Sequence, residues 1–194
     1  GKMKIKSKKI LIINICKEKL HYYEFVKPVE NILENMKKEK KIDYFVKNYK
    51  KVNEKDLKKA SKIIICGTSL ADNEFIDNKN ISKFKWLLNY KKPVLGICGG
   101  MEIMGKVFGG KLLRKTEIGY YSENFKKEFL SLKGKKEFYH LHNYYVDFRD
   151  LDFEVFCENN GIVQAVKHMK KSIYGVLFHP EVRQKSLIIK FCKT

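Results

Sequence analysis

The chain has 194 residues, 44% of them hydrophobic and 13% aromatic, which is enough to bury one sizeable core and excludes a disordered protein. Its formal net charge is +19, but only three of the 41 basic residues are Arg, and the lysines are spread along the chain. Because base and phosphate recognition depends heavily on arginine, this pattern indicates a solvated surface rather than a nucleic-acid-binding one. An acidic protein partner or acidic small substrate is favoured instead.

Membrane and secreted classes are also disfavoured. No apolar run reaches the ~18 residues of a membrane-spanning helix. Lysines before the apolar run 10–15 resemble a signal peptide, but no small-residue cleavage site follows, so we interpret the run as a core strand and expect a cytoplasmic protein. The five cysteines lack CxxC spacing, which argues against a disulfide framework and a zinc site, and we expect neither metal nor cofactor.

Strand and helix patterns alternate through the first half of the chain. Strands are predicted at 9–15, 42–47, 62–66 and 93–97, and helices at 24–41, 53–61 and 80–91. The strands are nearly continuous apolar runs, as expected where both faces of a sheet are buried. This alternation predicts a doubly wound α/β fold with a mostly parallel sheet.

The second half predicts a series of shorter strands separated by turns. They are expected within 110–122, 136–148, 153–168 and 172–182. The sequence ENNG at 158–161 is a strong turn signal, and 183–193 predicts a final helix. No linker or repeat interrupts the chain, so we expect a single domain over 1–194.

The segment KKPVLGICGGMEIMGKVFGG places Cys98 between a strand and a helix, with glycines on both sides. Such a turn is a nucleophile elbow, which presents its side chain above the carboxyl edge of the sheet. The helix N-terminus is expected to lower the pKa of the thiol, and the Gly99 N–H is placed to stabilise an oxyanion.

A thiol nucleophile needs a base, and the segment YGVLFHPEV supplies one at the end of a strand. His179 is the candidate base, and Glu181, two residues on, is placed to orient its ring. The strand at 62–66 ends beside the strand that carries Cys98. A backbone N–H of Gly67 or Thr68 is therefore a candidate second oxyanion donor.

These two segments together resemble the class I (triad-type) glutamine amidotransferases, whose nucleophile motif reads roughly G-I/V-C-x-G-x-Q and whose second motif contains His-x-Glu. TEIGYY at 116–121 resembles a segment of the guanylate-synthase-like members, which are freestanding glutaminase subunits. The resemblance implies a flavodoxin-like sheet with an added antiparallel β-ribbon. It also implies hydrolysis of glutamine through a thioester on Cys98, with the ammonia passed to a separate synthase subunit.

Three positions depart from the family pattern. Glu102 replaces the glutamine that helps to position the substrate, Gly67-Thr68-Ser69 replaces Gly-Gly-Pro, and Leu177 replaces a glutamine before the histidine. Two alternatives to a glutaminase therefore stay open. One is a γ-glutamyl hydrolase in which Glu102 recognises a substrate amine, and the other is a non-catalytic regulatory or binding protein with the same fold.

The segment YHLHNYYV at 139–146 lies where family members carry residues that line the glutamine pocket. His142 and Asn143 are candidates for that role, and a ribbon strand with alternating polar residues is the alternative. The remaining histidines are interpreted as structural or solvated: His21, His140 and His168.

Overall fold

The computed structural model describes residues 8–39 and 42–194. Predictions for 1–7 and for the end of the 24–41 helix lie outside these residues. The elements, in chain order, are β1 (Lys9–Asn14), α1 (Lys19–Phe25), α2 (Lys27–Lys38), β2 (Asp43–Asn48), α3 (Glu54–Lys59), β3 (Lys62–Ile65), α4 (Asn78–Ile81), β4 (Val94–Ile97), α5 (Gly99–Val107), β5 (Lys111–Phe129), β6 (Leu132–Asp147), β7 (Phe153–Asn159), β8 (Ile162–His168), β9 (Ile173–Val176) and α6 (Ser186–Lys193).

The central sheet has seven strands in the order β2-β1-β3-β4-β9-β8-β7. The four pairings that run across the sheet from β2 through β1, β3 and β4 to β9 are parallel. β8 pairs antiparallel with β9, and β7 pairs antiparallel with β8. The strand order reverses between β1 and β3, and open sheets of this kind bind ligands outside the carboxyl ends of their strands. The mostly parallel, doubly wound sheet is confirmed.

Helices cover both faces of the sheet. Alternate side chains of β1 enter two separate cores, Ile12 in one and Ile13 in the other. The first core includes Leu33 of α2 together with side chains of α6, and the second includes Phe84 and side chains of α5. Burial on both faces explains why the parallel strands are continuous apolar runs.

The added β-ribbon is confirmed, but its strands are much longer than the short strands predicted. β5 has 19 residues and β6 has 16, and they pair with each other as a separate antiparallel sheet. Phe125 and Phe138 anchor the ribbon in the first core, and the ring centroids of Phe138 and Phe178 are 4.2 Å apart. The ribbon turn uses Leu130 and Ser131 at positive φ, which no glycine or asparagine marks in the sequence.

Three predicted boundaries were wrong. The chain forms α1 before α2, and α2 starts at Lys27 because Pro28 fits the first turn of a helix, where no N–H partner is needed. The predicted helix at 80–91 is largely a 3₁₀ helix over Ser82–Leu88. The final helix starts at Ser186 rather than at 183.

The predicted turn near 158–161 is confirmed at Asn160 and Gly161, both at positive φ. Within the described ranges, no helix combines the length and the apolar character needed to cross a bilayer.

Candidate active site

The turn that carries Cys98 has an unusual backbone conformation. Cys98 adopts φ 50° and ψ −101° between β4 and α5, a region that non-glycine residues rarely occupy. The following turn is tightly packed, since a Cβ on Gly100 would lie 2.3 Å from the carbonyl oxygen of Ile65. Glycine there lets α5 start directly against β3, which fixes Cys98 at the carboxyl edge of the sheet.

His179 and Glu181 lie together on the segment that follows β9. His179 Nδ1 donates a hydrogen bond to Glu181 Oε1 at 2.8 Å, and both side chains are buried. The backbone N–H of His179 donates to the carbonyl of Tyr139 on β6 at 2.9 Å. A Cβ on Gly67 would lie 2.9 Å from His179 Cε1, so the absence of a side chain there makes room for the imidazole.

Cys98 and His179 are brought to the same carbonyl group from the ends of the neighbouring strands β4 and β9. The backbone carbonyl of Leu141 on β6 meets both of them, because Cys98 Sγ donates to it at 3.5 Å and His179 Nε2 lies 3.4 Å from it. Both imidazole nitrogens therefore have an oxygen within hydrogen-bond distance. An imidazolium formed at this position would have an acceptor for each of its protons.

The charges around the pair shift both pKa values. Burial would lower the pKa of His179, but Glu181 and Cys98 together raise it well above its ordinary value. Burial raises the pKa of the Cys98 thiol, and the neighbouring His179 only partly offsets this. The expectation of a lowered thiol pKa was wrong, because burial raises the pKa of Cys98 more than His179 lowers it, and Glu102 and Glu181 raise it further.

The loop after β3 is held by a buried carboxylate that sequence reasoning missed. Asp72 Oδ2 accepts hydrogen bonds from Thr68 Oγ1 and from the backbone N–H of Lys17, both at 2.8 Å. Cys16 Sγ donates to the Gly67 carbonyl at 3.7 Å. In the sequence, Asp72 was marked only by its acidic side chain and its position four residues after Thr68 in the same short loop. These contacts fix the loop beside Cys98.

One pocket opens onto Cys98 and brings together most of the predicted site residues. Its lining includes Thr68, Cys98, Gly99, Glu102, His142 and Asn143. Gly67 packs beside it, with the Cβ position of residue 67 only 3.2 Å from Cys98 Cβ. His179 and Glu181 are buried and are not part of this lining.

The polar residues of the pocket are held in different ways. Burial raises the pKa of Glu102 to about 8, with His179 opposing the shift, so the carboxyl is mainly neutral at pH 7. Asn143 Oδ1 accepts from Thr116 Oγ1 at 2.8 Å, and Asn143 Nδ2 donates to the Leu70 carbonyl at 3.4 Å. His142 Nε2 lies 2.8 Å from Glu117 Oε1. His142 and Asn143 thus line the pocket and also belong to the ribbon.

Comparison with known proteins gives a family match over most of the chain. Residues 22–190 match the model of the family described as glutamine amidotransferase class-I. One component of a glutamine-hydrolyzing GMP synthase, from Methanococcus aeolicus, is 40% identical over 116 residues, which are 55% of this chain and 62% of that protein. The protein of the same name in Methanobrevibacter smithii is 31% identical over 106 residues, covering 50% and 55% of the two chains. The chain therefore matches less than two thirds of the length of these curated relatives.

Solved structures support the same fold. A Thermoplasma acidophilum protein, described as one of the subunits of a GMP synthase, superposes with a TM-score of 0.80 at 18% identity, over 96% of this chain and 93% of the other. A glutamine amidotransferase of Thermotoga maritima superposes with a TM-score of 0.70 at 19% identity, over 92% of this chain and 78% of the other. The family model covers far more than half of the sequence, and the fold agrees with it: the chain belongs to the class I glutamine amidotransferases.

Proposed function

We propose that this chain hydrolyses glutamine to glutamate and ammonia through a thioester on Cys98. The observation that carries the proposal is the meeting of Cys98 Sγ and His179 Nε2 at the Leu141 carbonyl, at 3.5 and 3.4 Å, with Glu181 on the other ring nitrogen. A thiol, a base and a group that orients the base are the parts that nucleophilic amide hydrolysis requires.

The proposed reaction has two halves. Cys98 Sγ attacks the γ-carboxamide carbon while its proton passes to His179 Nε2, and Glu181 stabilises the resulting imidazolium. Backbone N–H groups of Gly67 or Thr68 and of Gly99 stabilise the oxyanion. His179 then protonates the leaving nitrogen, and ammonia departs as the C–N bond breaks. In the second half His179 takes a proton from water, which attacks the thioester and releases glutamate with regeneration of the thiol.

The acceptor of the ammonia is proposed from the relatives' names. The Methanococcus and Methanobrevibacter proteins are called subunits of a glutamine-hydrolyzing GMP synthase. We propose that this chain likewise supplies ammonia to a separate synthase subunit. Neither a metal nor another cofactor takes part in the proposed hydrolysis.

The protonation state of Glu102 bears on the choice between glutamine and the alternative γ-glutamyl substrates. An ionised Glu102 would attract a substrate amine, whereas a neutral carboxyl offers one donor and one acceptor, much as the family's glutamine does. The raised pKa of Glu102 favours the neutral form. A substrate panel tests this: we expect glutamate release from glutamine and little from γ-glutamyl amines. The reverse preference would support a γ-glutamyl hydrolase, and no turnover with either would support the non-catalytic alternative.

A pH profile tests the protonation state of Glu102. Because its pKa is raised to about 8, the neutral form persists below that pH and is lost as the pH rises through it. The kcat/KM of the Glu102→Gln variant should equal or exceed that of the wild type. The ratio of variant to wild-type kcat/KM should rise about tenfold between pH 7 and pH 9.

Both proteins contain Cys98, but Glu102 raises the pKa of that thiol, so the pH dependence of Cys98 alkylation is measured in each protein and used to correct the ratio. The other titratable groups that line the pocket, Asp72, His142 and Tyr144, are common to both. Glu158→Gln, which replaces an exposed carboxylate, is the matched control. The ratio of its kcat/KM to that of the wild type should not change between pH 7 and pH 9. If the ratio for Glu102→Gln is also independent of pH, a neutral Glu102 is not required for glutamine hydrolysis.

A further inference from the structure

A second group of polar side chains, four of them ionisable, lies behind the pocket, where β5, β6 and β8 meet. We call it the His–Glu cluster; its members, all buried, are Glu117, Glu123, His140, His142 and Gln164. Glu117 Oε1 lies 2.8 Å from His142 Nε2 and 3.7 Å from His140 Nδ1. His140 Nε2 lies 3.3 Å from Glu123 Oε1. Two imidazoles and two carboxylates thus share one enclosed space.

This cluster holds a concentration of unsatisfied polar atoms. In the described part of the chain, six buried side-chain nitrogen or oxygen atoms lack a hydrogen-bond partner, and five of them belong to the cluster. The five are Glu123 Oε1, His140 Nδ1 and Nε2, His142 Nδ1 and Gln164 Oε1. Buried polar atoms in native proteins are nearly always satisfied. His140 Nε2 and Glu123 Oε1 at least face each other, whereas His140 Nδ1 is 3.7 Å from Glu117 Oε1, a separation that a group bound between the two would bridge.

We propose that Glu117, His140 and His142 bind a divalent transition-metal ion such as Zn²⁺. One ligand atom from each residue lies within 4.8 Å of the others. Tetrahedral zinc, with ligands at 2.0–2.1 Å, sets neighbouring ligand atoms about 3.3 Å apart. The observed separations of 2.8 and 3.7 Å from Glu117 Oε1 bracket that value, so small side-chain movements would place three of the four ligands around one ion, and a water molecule would supply the fourth.

The surrounding groups have the arrangement expected around a metal site. With the ion on His140 Nδ1, the opposite nitrogen faces Glu123, as in the carboxylate–histidine pairs that orient metal-bound imidazoles. Gln164 Nε2 donates to Glu117 Oε1 at 3.0 Å. A divalent cation would also neutralise the two buried carboxylates when both imidazoles are neutral.

The proposed ion would be coupled to the pocket through the ribbon. Leu141 lies between the two histidines in the sequence, and its carbonyl contacts both Cys98 and His179. Fixing His140 and His142 therefore fixes the backbone of β6 against that pair. The sequence-based expectation of no metal rests on cysteine spacing alone, whereas this site uses imidazole and carboxylate ligands from two ribbon strands.

Metal binding by the purified full chain tests the proposal directly. After treatment with a chelator, the protein is titrated with Zn²⁺ and, separately, with Co²⁺. We expect one ion per chain and a visible Co²⁺ absorption band without the charge-transfer band of a cobalt thiolate, because the ligands are nitrogen and oxygen atoms. His140→Gln should abolish stoichiometric binding, and Glu123→Gln, which removes only an orienting group, should weaken it about 10–100-fold.

Two controls separate this site from other candidate ligands. His21→Ala removes an imidazole outside the cluster, and Cys98→Ala removes the thiol in the pocket; both should bind the ion as the wild type does. If His140→Gln does not fold, the cobalt spectrum of the wild type and the affinity of Glu123→Gln decide. Absence of stoichiometric binding, a cobalt thiolate band, or unchanged binding in a folded His140→Gln variant would overturn the proposal. If no ion binds stoichiometrically, the cluster would instead be a hydrogen-bond network in which the histidines and carboxylates share protons.

Discussion

Replacing Cys98 by Ala is expected to reduce glutamate release from glutamine by about 10⁴-fold or more. The substitution removes the only atom that forms the proposed thioester, and no other side chain of the pocket lining carries a thiol. Because Cys98 lies in a closely packed turn and Ala is smaller, the fold should tolerate the change. The measurement is kcat with purified protein, together with a thermal unfolding curve.

Cys192→Ala is a matched control for this experiment. Cys192 is also buried, but it lies on α6 and belongs to the first core rather than to the pocket. We expect near-wild-type kcat with a modest loss of stability from the small cavity. Substantial glutamate release by Cys98→Ala would contradict thioester chemistry at this residue.

Replacing Glu181 by Gln is expected to lower kcat by about 10²–10⁴-fold while KM changes little. The amide is nearly isosteric, but it is uncharged and can donate to His179 Nδ1, which would favour the tautomer that cannot accept a proton from Cys98 at Nε2. Glu181 also raises the pKa of His179, so the imidazolium formed during attack would lose its main stabilisation. The pKa of His179, followed by the NMR titration of its ring protons, should fall in the variant.

Glu137→Gln provides a comparison for the loss of a nearby carboxylate. Glu137 accepts a hydrogen bond from Arg183 at the surface of the same region and does not contact His179. Its substitution should leave kcat within about twofold, since exposed ion pairs contribute little. An equal effect of the two substitutions would mean that Glu181 acts through general stability or charge rather than through His179.

The parallel sheet and the elbow could be predicted because their causes are local. Runs such as the one in β1 are apolar without alternation, which happens where both faces of a strand are covered. Cys98 follows such a run and precedes glycines, so the sharp turn was visible in the sequence. His179 and Glu181 are two residues apart, and their hydrogen bond required no long-range information.

Other features depended on contacts between distant segments. The carbonyl of Leu141 meets Cys98 and His179 through its backbone, which no residue type identifies. The direction of the Cys98 pKa shift depends on how deeply the folded chain buries the thiol. The pairing of Glu117 with His142 depends on the ribbon register, which shifts between Arg114 and Glu117. Sequence spacing alone does not determine such features.

Covalent labelling by a chloroketone analogue of glutamine is the most direct test of the proposed chemistry. The analogue presents its reactive carbon near the position of the γ-carboxamide, so only a thiol aimed at that position should react quickly. We predict a single adduct, located on Cys98 by peptide mass spectrometry, which excess glutamine prevents. An adduct on another cysteine, or labelling of Cys98 that glutamine does not slow, would contradict a glutamine site built around Cys98, His179 and Glu181.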